Sequence, residues 1–245
     1  MGDITGSPAP TEALLVIDSG HSHTTITPVL RGQPIQRAIR RLEIGGKLLT
    51  NRLKEIISLR HFSLMDEPHL VGQIKEDVCY VSLDFAGDLS RAWQAGGGGV
   101  KLSSNGAAAH ASAERLDYVL PDYHTTTRGH TRPHDPACAA SVARIVGGGA
   151  GGGSDQDAFP LGNERFTVPE LLFAPTDLGM AQAGLPEAIV QSVSALPEGL
   201  WPVMLANVLV VGGTAALPGF VERLQTELRA VVKSECAVRV MRPEK

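Results

Sequence analysis

Between Ala13 and Leu42, three short runs of branched and apolar residues are separated by turn signals, and no other stretch constrains the fold more. Ala13-Leu14-Leu15-Val16-Ile17 has the length and branching of a buried strand and stops at Asp18-Ser19-Gly20. A second run, Ile26 to Leu30, closes at the turn signal Arg31-Gly32. Ile35 to Leu42 reads as a third strand, with Pro34 at its start, where a missing N–H is tolerated. Three consecutive strands with short connections make a meander. Gly45-Gly46 then breaks the chain ahead of a helix in which Leu49, Leu53, Ile56 and Ile57 recur at helical spacing.

Further helical character is expected from Asp66 to Phe85. Two stretches, 94–113 with Gly96 to Gly99 and 128–158 with Gly147 to Gly149 and Gly151 to Gly153, carry no hydrophobic period. Both are expected to be flexible inserts, because they cannot bury enough apolar surface to offset their ordering entropy. Order is expected to return at Asn163-Glu164-Arg165-Phe166. A helix starting at Pro186 follows, then a buried strand Val208 to Val211 and the pair Gly212-Gly213. A helix from Gly219 places Phe220, Leu224, Leu228 and Val231 on one face, and Val238 and Val240 make a last strand. Three strands, then helix, strand, helix, strand, define a mixed α/β layer architecture with a helical insertion.

Composition narrows the function classes. The 245 residues suffice for one sizeable core or two small ones, and an apolar content of 43% is ordinary. The 27 glycines and 4% aromatics point to some length that is not packed. A net charge of −4 argues against a general nucleic-acid binder, although Arg37, Arg40 and Arg41 form a local basic patch. Cys79, Cys138 and Cys236 are odd in number and lack short spacings, so neither a disulfide framework nor a zinc ribbon follows. Free thiols fit a reducing compartment. The opening MGDITGSPAP is not patterned as a signal peptide or a myristoylation site, and a soluble intracellular protein is expected.

Few residues carry chemistry. Asp18-Ser19-Gly20 sits where an apolar strand turns back, a place where successive N–H groups can meet a phosphate and an Asp can face its metal. The same triplet is also the ordinary composition of a hairpin turn. Gly212-Gly213-Thr214 lies between a strand and a helix, which permits close approach of a ligand or simply close packing. Lys75 and Glu76 could reach a base or ribose, or could form a solvated helix face. His21 and His23, and the looser set His124, His130 and His134, lack the rigid second-shell support of a metal site. No Ser/His/Asp constellation and no paired-carboxylate site stands out.

In order along the chain, these pieces resemble the second half of an actin-family protein. Val16-Ile17-Asp18-Ser19-Gly20 resembles that family's second phosphate-binding turn, and Ile74-Lys75-Glu76-Asp77-Val78-Cys79-Tyr80-Val81 its adenosine-contacting helix. Gly162-Asn163-Glu164-Arg165-Phe166, with Pro169-Glu170 and Leu172-Phe173, resembles the segment returning to the core. Val210-Val211-Gly212-Gly213-Thr214 with Pro218-Gly219 resembles the adenosine loop. Gly45-Gly46-Lys47-Leu48-Leu49-Thr50-Asn51, continuing to Met65-Asp66-Glu67, resembles the actin-related protein 6 branch. The similarity covers about 13–92 and 115–245.

The resemblance implies an actin-like (ribonuclease H-like) α/β half. Residues 11–44 and 181–245 would form a core like actin subdomain 3, and 45–180 a helical insertion like subdomain 4. It implies ATP with Mg as cofactor, bound by Asp18, Ser19, Gly20, Gly46, Lys75, Glu76, Gly212, Gly213 and Thr214, with Asp18 supporting the metal. It also implies a scaffold subunit of a nuclear, partly cytoplasmic, Swr-type chromatin-remodelling complex that exchanges a core histone for its variant. The expected neighbours are the remodelling ATPase and a zinc-finger HIT-type protein, with histones and chromatin met indirectly. Neither a membrane nor direct sequence-specific DNA binding is expected.

Departures from the family pattern bear on mechanism. Conventional actins continue the Asp-Ser-Gly turn with Asp-Gly and soon place a histidine that assists hydrolysis; here the matching positions are His21, Ser22 and Thr25. Thr25 cannot handle a proton as an imidazole does. The first phosphate loop of the family is not in this sequence, so nucleotide binding by the chain alone is expected to be weak or absent. No enzymatic activity is expected. The alternatives are an ATP-hydrolysing member of the actin superfamily and a cytoskeletal actin-like protein.

Overall fold

The computed structural model describes residues 12–61, 63–95, 115–124, 126–134 and 158–243. Most of the two glycine-rich stretches, 96–113 and 135–157, and also Cys138, lie outside the described residues. The chain divides into two compact units, one formed by residues 1–49 with 169–245 and the other by residues 50–168.

The first unit is built on a sheet whose path runs β3-β2-β1-β8-β9, with β4 also pairing β2. Its strands are β1 (Ala13–Ser19), β2 (Thr24–Leu30), β3 (Gln33–Pro34), β4 (Arg40–Leu42), β8 (Val208–Val211) and β9 (Val240–Met241). β1 and β2 pair antiparallel, Asp18 opposite Thr25 and Ser19 opposite Thr24. β1 and β8 pair parallel, Asp18 beside Val211. In β1, Ala13, Leu15, Ile17 and Ser19 are buried while Asp18 is exposed, the period of two that a one-faced strand requires.

Among the described residues, the α-helices α5 (Leu185–Ser194), α6 (Trp201–Leu205) and α7 (Phe220–Val231) complete this unit. α5 packs on β2, β4 and α7, and α6 packs on β1. Pro186 near the start of α5 forfeits only an N–H that has no intrahelical partner there. In α7, Phe220, Leu224 and Leu228 are fully buried, but Val231 is 56% exposed and leaves the expected stripe.

The expected third strand is interrupted. The chain forms β3, then a 3-10 turn Gln36–Ala38, then β4. In the ladder register Ile35 stands opposite Pro28 and donates its N–H to Pro28 O at 2.9 Å, but Pro28 has no N–H to return, and the first pairing stops there. A buried Ser192 hydroxyl then donates to Ala38 O at 2.6 Å and fixes the turn. The last strand is likewise shorter than expected and excludes Val238.

The second unit holds a three-stranded antiparallel sheet, ordered β6-β5-β7. The strands are β5 (Leu116–Val119), β6 (His130–Pro133) and β7 (Ala158–Leu161). α1 (Gly46–Arg60) begins in the first unit and contributes its buried Leu53 and Ile57 to the second, with α2 (Pro68–Val78) and α3 (Phe85–Ala95); α4 (Glu164–Glu170) ends the segment. β6 falls in a stretch expected to be aperiodic, and β7 begins before the point where order was expected to return. The helical stretch expected from Asp66 to Phe85 is shorter: α2 ends at Val78, where Cys79 is extended, and the residues up to Phe85, where the separate α3 starts, are not helical. Tyr118 and Phe159 are fully buried, and the Tyr118 hydroxyl donates to Asp77 at 3.2 Å.

Candidate functional site

Two strand ends meet where β1 and β8 run parallel. In open α/β sheets the carboxyl ends of such strands are where ligands gather. Of the residues expected at a site, Asp18, Ser19, Gly20, Gly46, Gly212, Gly213 and Thr214 all belong to this unit; Gly20 bonds Gly46 and Thr214, Gly212 lies against Ser19 and Asp18, and Gly213 O accepts Ala216 N–H at 3.1 Å.

The turn after β1 is held from three sides. Gly20 N–H donates to His23 O at 3.1 Å, closing the turn. Gly20 O accepts both Gly46 N–H at 3.0 Å and the Thr214 hydroxyl at 2.8 Å. Lys47 N–H donates to His21 O at 2.7 Å. The N–H groups of His21 and Ser22 have no hydrogen-bond partner among the described residues. Ser19 is fully buried: its hydroxyl meets that of Thr24 at 3.1 Å, and Thr24 donates on to Ile44 O at 2.8 Å. Since Thr24 has one proton and spends it on Ile44, Ser19 is the donor of the pair. Ser19 therefore shapes the turn from inside, while Asp18 presents its carboxylate outside.

The two glycines after β8 have different reasons to be glycine. Gly212 has φ +98°, and a Cβ there would lie 2.3 Å from Ser19 O and 2.9 Å from Asp18 Oδ1. This is backbone-against-backbone packing of the two strand ends. A Cβ on Gly213 would meet no atom within 4 Å. Packing does not explain that second glycine, whereas close approach of a ligand to its backbone would. Thr214 begins a single 3-10 turn ending at Ala216, and α7 follows after Gly219, where the sequence placed its start.

Gly45 was read in the sequence as a break ahead of the helix and as part of the family resemblance, not as a site residue. A Cβ there would stand 2.7 Å from both His21 O and His23 N. The contact is tertiary, and only the doubled glycine hinted at it. His23, weighed in the sequence only as a metal ligand, has its Nδ1 buried without a hydrogen-bond partner among the described residues.

Lys75 and Glu76 lie in the second unit. Lys75 is 9% exposed, and its ammonium donates to Thr50 Oγ1 at 3.2 Å. Burial lowers its pKa, with Glu76 opposing that shift. Glu76 is exposed on the same helix. Cys79, beside them, is buried, and its thiol is pushed up to about 12 by burial, so it is no nucleophile at neutral pH. Among the described residues no group of three or more His, Cys, Asp or Glu side chains is arranged to hold a metal ion directly.

The residues present fit a phosphate-bearing ligand with a hydrated cation. Asp18 offers an exposed carboxylate to a cation's water shell, two N–H groups remain open in the turn, and the space beside the Gly213 Cα is open.

The family model for actin matches residues 9–245. The chain belongs to the actin family. An actin-like protein arp6 of Aspergillus fumigatus is 53% identical over 245 residues, covering 99% of this chain and 51% of the relative. Actin-related protein 6 of Neurospora crassa is 47% identical, covering 96% and 51%. The Drosophila melanogaster actin-related protein 6 is 41% identical, covering 94% and 52%. The chain thus spans about half the length of these curated relatives. Within this actin-family member the position paired with Asp18 across β1 and β2 is Thr25, a hydroxyl.

Proposed function

We propose that this chain is part of an actin-related scaffold subunit of a nuclear Swr-type remodelling complex, one that exchanges a core histone for its variant. The supporting observation is the match to actin-related protein 6 sequences over nearly the whole chain. Its partners on this reading are the remodelling ATPase and a zinc-finger HIT-type subunit, with histones and chromatin contacted through them. The protein works in the nucleus and is also present in the cytoplasm.

On the same reading Mg-ATP has a structural rather than catalytic role. When bound, the nucleotide supplies charge and bulk that hold elements together. Asp18 would orient the cation's water shell, the His21 and Ser22 N–H groups would hold phosphate oxygens, and the Gly213 backbone would lie against the nucleotide. Thr25, where the family's imidazole is expected, has no basic lone pair to take a proton at neutral pH, which favours binding without turnover.

Co-expression of the tagged chain with the zinc-finger HIT-type subunit and the remodelling ATPase tests the scaffold reading. Co-elution through size exclusion is expected. Elution of the chain alone, together with ATP turnover as fast as that of filamentous actin, would overturn it. Calorimetric titration of the chain with Mg-ATP is expected to give millimolar or weaker binding. One phosphate turn in place of two forgoes several charge-assisted hydrogen bonds of about 1.5–3 kcal/mol each. A dissociation constant near one micromolar, about −8 kcal/mol, would refute that count.

A further inference from the structure

In the first unit, away from the Asp18 turn, Arg40 lines a shallow depression with Glu187, Val190, Gln191, Ser194 and Ala195 of and just after α5. The arginine is held by its own backbone: Nη1 donates to Arg37 O at 3.1 Å and to Ile39 O at 2.9 Å. Both protons of Nη1 are thereby used. The edge left over is formed by Nε and Nη2, whose parallel N–H groups match the two oxygens of a carboxylate. Neither has a hydrogen-bond partner among the described residues.

The rest of the depression discriminates between anions. Gln191 donates to Glu187 at 3.2 Å, so its amide oxygen stays open, as does the exposed hydroxyl of Ser194. Glu187 places a full negative charge on the same rim. Arg41, the next basic residue, is already paired with Glu43 at 2.9 Å. A nucleic-acid backbone, with its regular charges, would meet Glu187 and gain little from Arg41. A peptide fits better, because it can put one carboxylate on Arg40 and an N–H or ammonium on Glu187. Val190 and Ala195, both half-buried, give its backbone an apolar floor.

We propose that this depression is a docking site for a protein segment that alternates acidic and basic residues, with an Asp or Glu carboxylate bridged side by side on Arg40. The site goes beyond the nucleotide reading and does not depend on it.

The probe is a fluorescein-labelled peptide of three Asp-Ala-Lys-Ala repeats, titrated against the 245-residue chain and followed by anisotropy. Saturable binding is expected, weakened at least about tenfold by Arg40→Gln. Arg40→Lys keeps the charge but loses the two-point contact, and weakens binding as well. Ser194→Glu, at an exposed helix position, keeps the fold and sets a carboxylate of the chain itself against the open arginine edge; binding is expected to be lost there too. The proposal is overturned by no saturation up to about 5 mM peptide, by unchanged binding in Ser194→Glu, or by labelled duplex DNA binding tighter than the peptide.

Discussion

Alanine at Gly212 and alanine at Gly213 are expected to give opposite results, although the residues are neighbours. At Gly212 the substitution meets two penalties. A left-handed φ of +98° costs an L-residue about 1–2 kcal/mol. The new Cβ would also stand 2.3 Å from Ser19 O and 2.6 Å from Ser19 C, about 1 Å inside normal contact, and both obstacles are backbone. Forced repacking of this kind costs about 1–3 kcal/mol. Together these give about 2–5 kcal/mol, a large share of the roughly 5–15 kcal/mol by which domains are stable. At Gly213, φ is −67° with ψ −34°, and a Cβ meets nothing within 4 Å. Alanine there restricts the unfolded chain without straining the folded one, and is expected to be neutral or to stabilise by about 0.4–1 kcal/mol. Urea denaturation followed by circular dichroism reads both, as a fall in midpoint at unchanged slope for Gly212→Ala and no fall for Gly213→Ala. A Gly212→Ala chain within about 1 kcal/mol of the parent would refute the close approach of the two strand ends. An equal loss in Gly213→Ala would refute the open face.

Two other expectations follow from the first unit. Glu170 is 4% exposed and paired with Arg223 at 3.0 Å, yet burial outweighs the arginine and pushes its carboxyl from 4.5 up to about 7. A carboxyl raised on folding contributes stability that is fully present below pH 4.5 and lost as pH rises through about 7, so Arg223→Met, which removes the charge facing the ionised form, is expected to cost about 1 kcal/mol more at pH 8 than at pH 5 in urea melts, with a pH-independent cost contradicting the assignment. Thr214→Val removes the 2.8 Å bond to Gly20 O while Gly46 N–H keeps that oxygen partnered, so a loss of about 0.5–1.5 kcal/mol is expected, measured the same way, and a loss above about 3 kcal/mol would mean the turn collapses without it.

The parts of this fold that were legible in sequence are those whose signals are local. β1, β2, β8, α5 and α7 announce themselves through period, branching and terminal Gly or Pro, and each forms close to where those signals stand. The failures share a cause of the opposite kind. β6 is His130-Thr131-Arg132-Pro133, with no apolar alternation, and exists because β5 pairs with it. α3 carries Phe85, Leu89 and Trp93 at i, i+4 spacing, a signal hidden by the glycines that follow and by the exposure of Trp93. The end of α2 at Val78 was hidden by the charged and apolar residues that continue past it. The interruption of the third strand lies opposite Pro28 of the neighbouring strand, which accepts from Ile35 N–H but has no N–H to return, a cross-strand effect that the residues of the third strand do not display.

The same division runs through the candidate site and resolves the two meanings of Asp18-Ser19-Gly20. As a hairpin turn it is complete: Gly20 N–H closes on His23 O, and Asp18 and Ser19 end β1 in register with Thr25 and Thr24. That much is local chemistry, visible in three residues. What makes the turn more than a hairpin comes from far along the chain. The Thr214 hydroxyl reaches Gly20 O across 194 positions, and Gly212 lets β8 end against the Ser19 backbone. These contacts hold the turn without drawing on Asp18 or on the His21 and Ser22 N–H groups, so the shape does not depend on a bound anion. A preformed turn with its outward groups unspent suits the proposed nucleotide role, because ligand binding then need not supply the ordering of the loop.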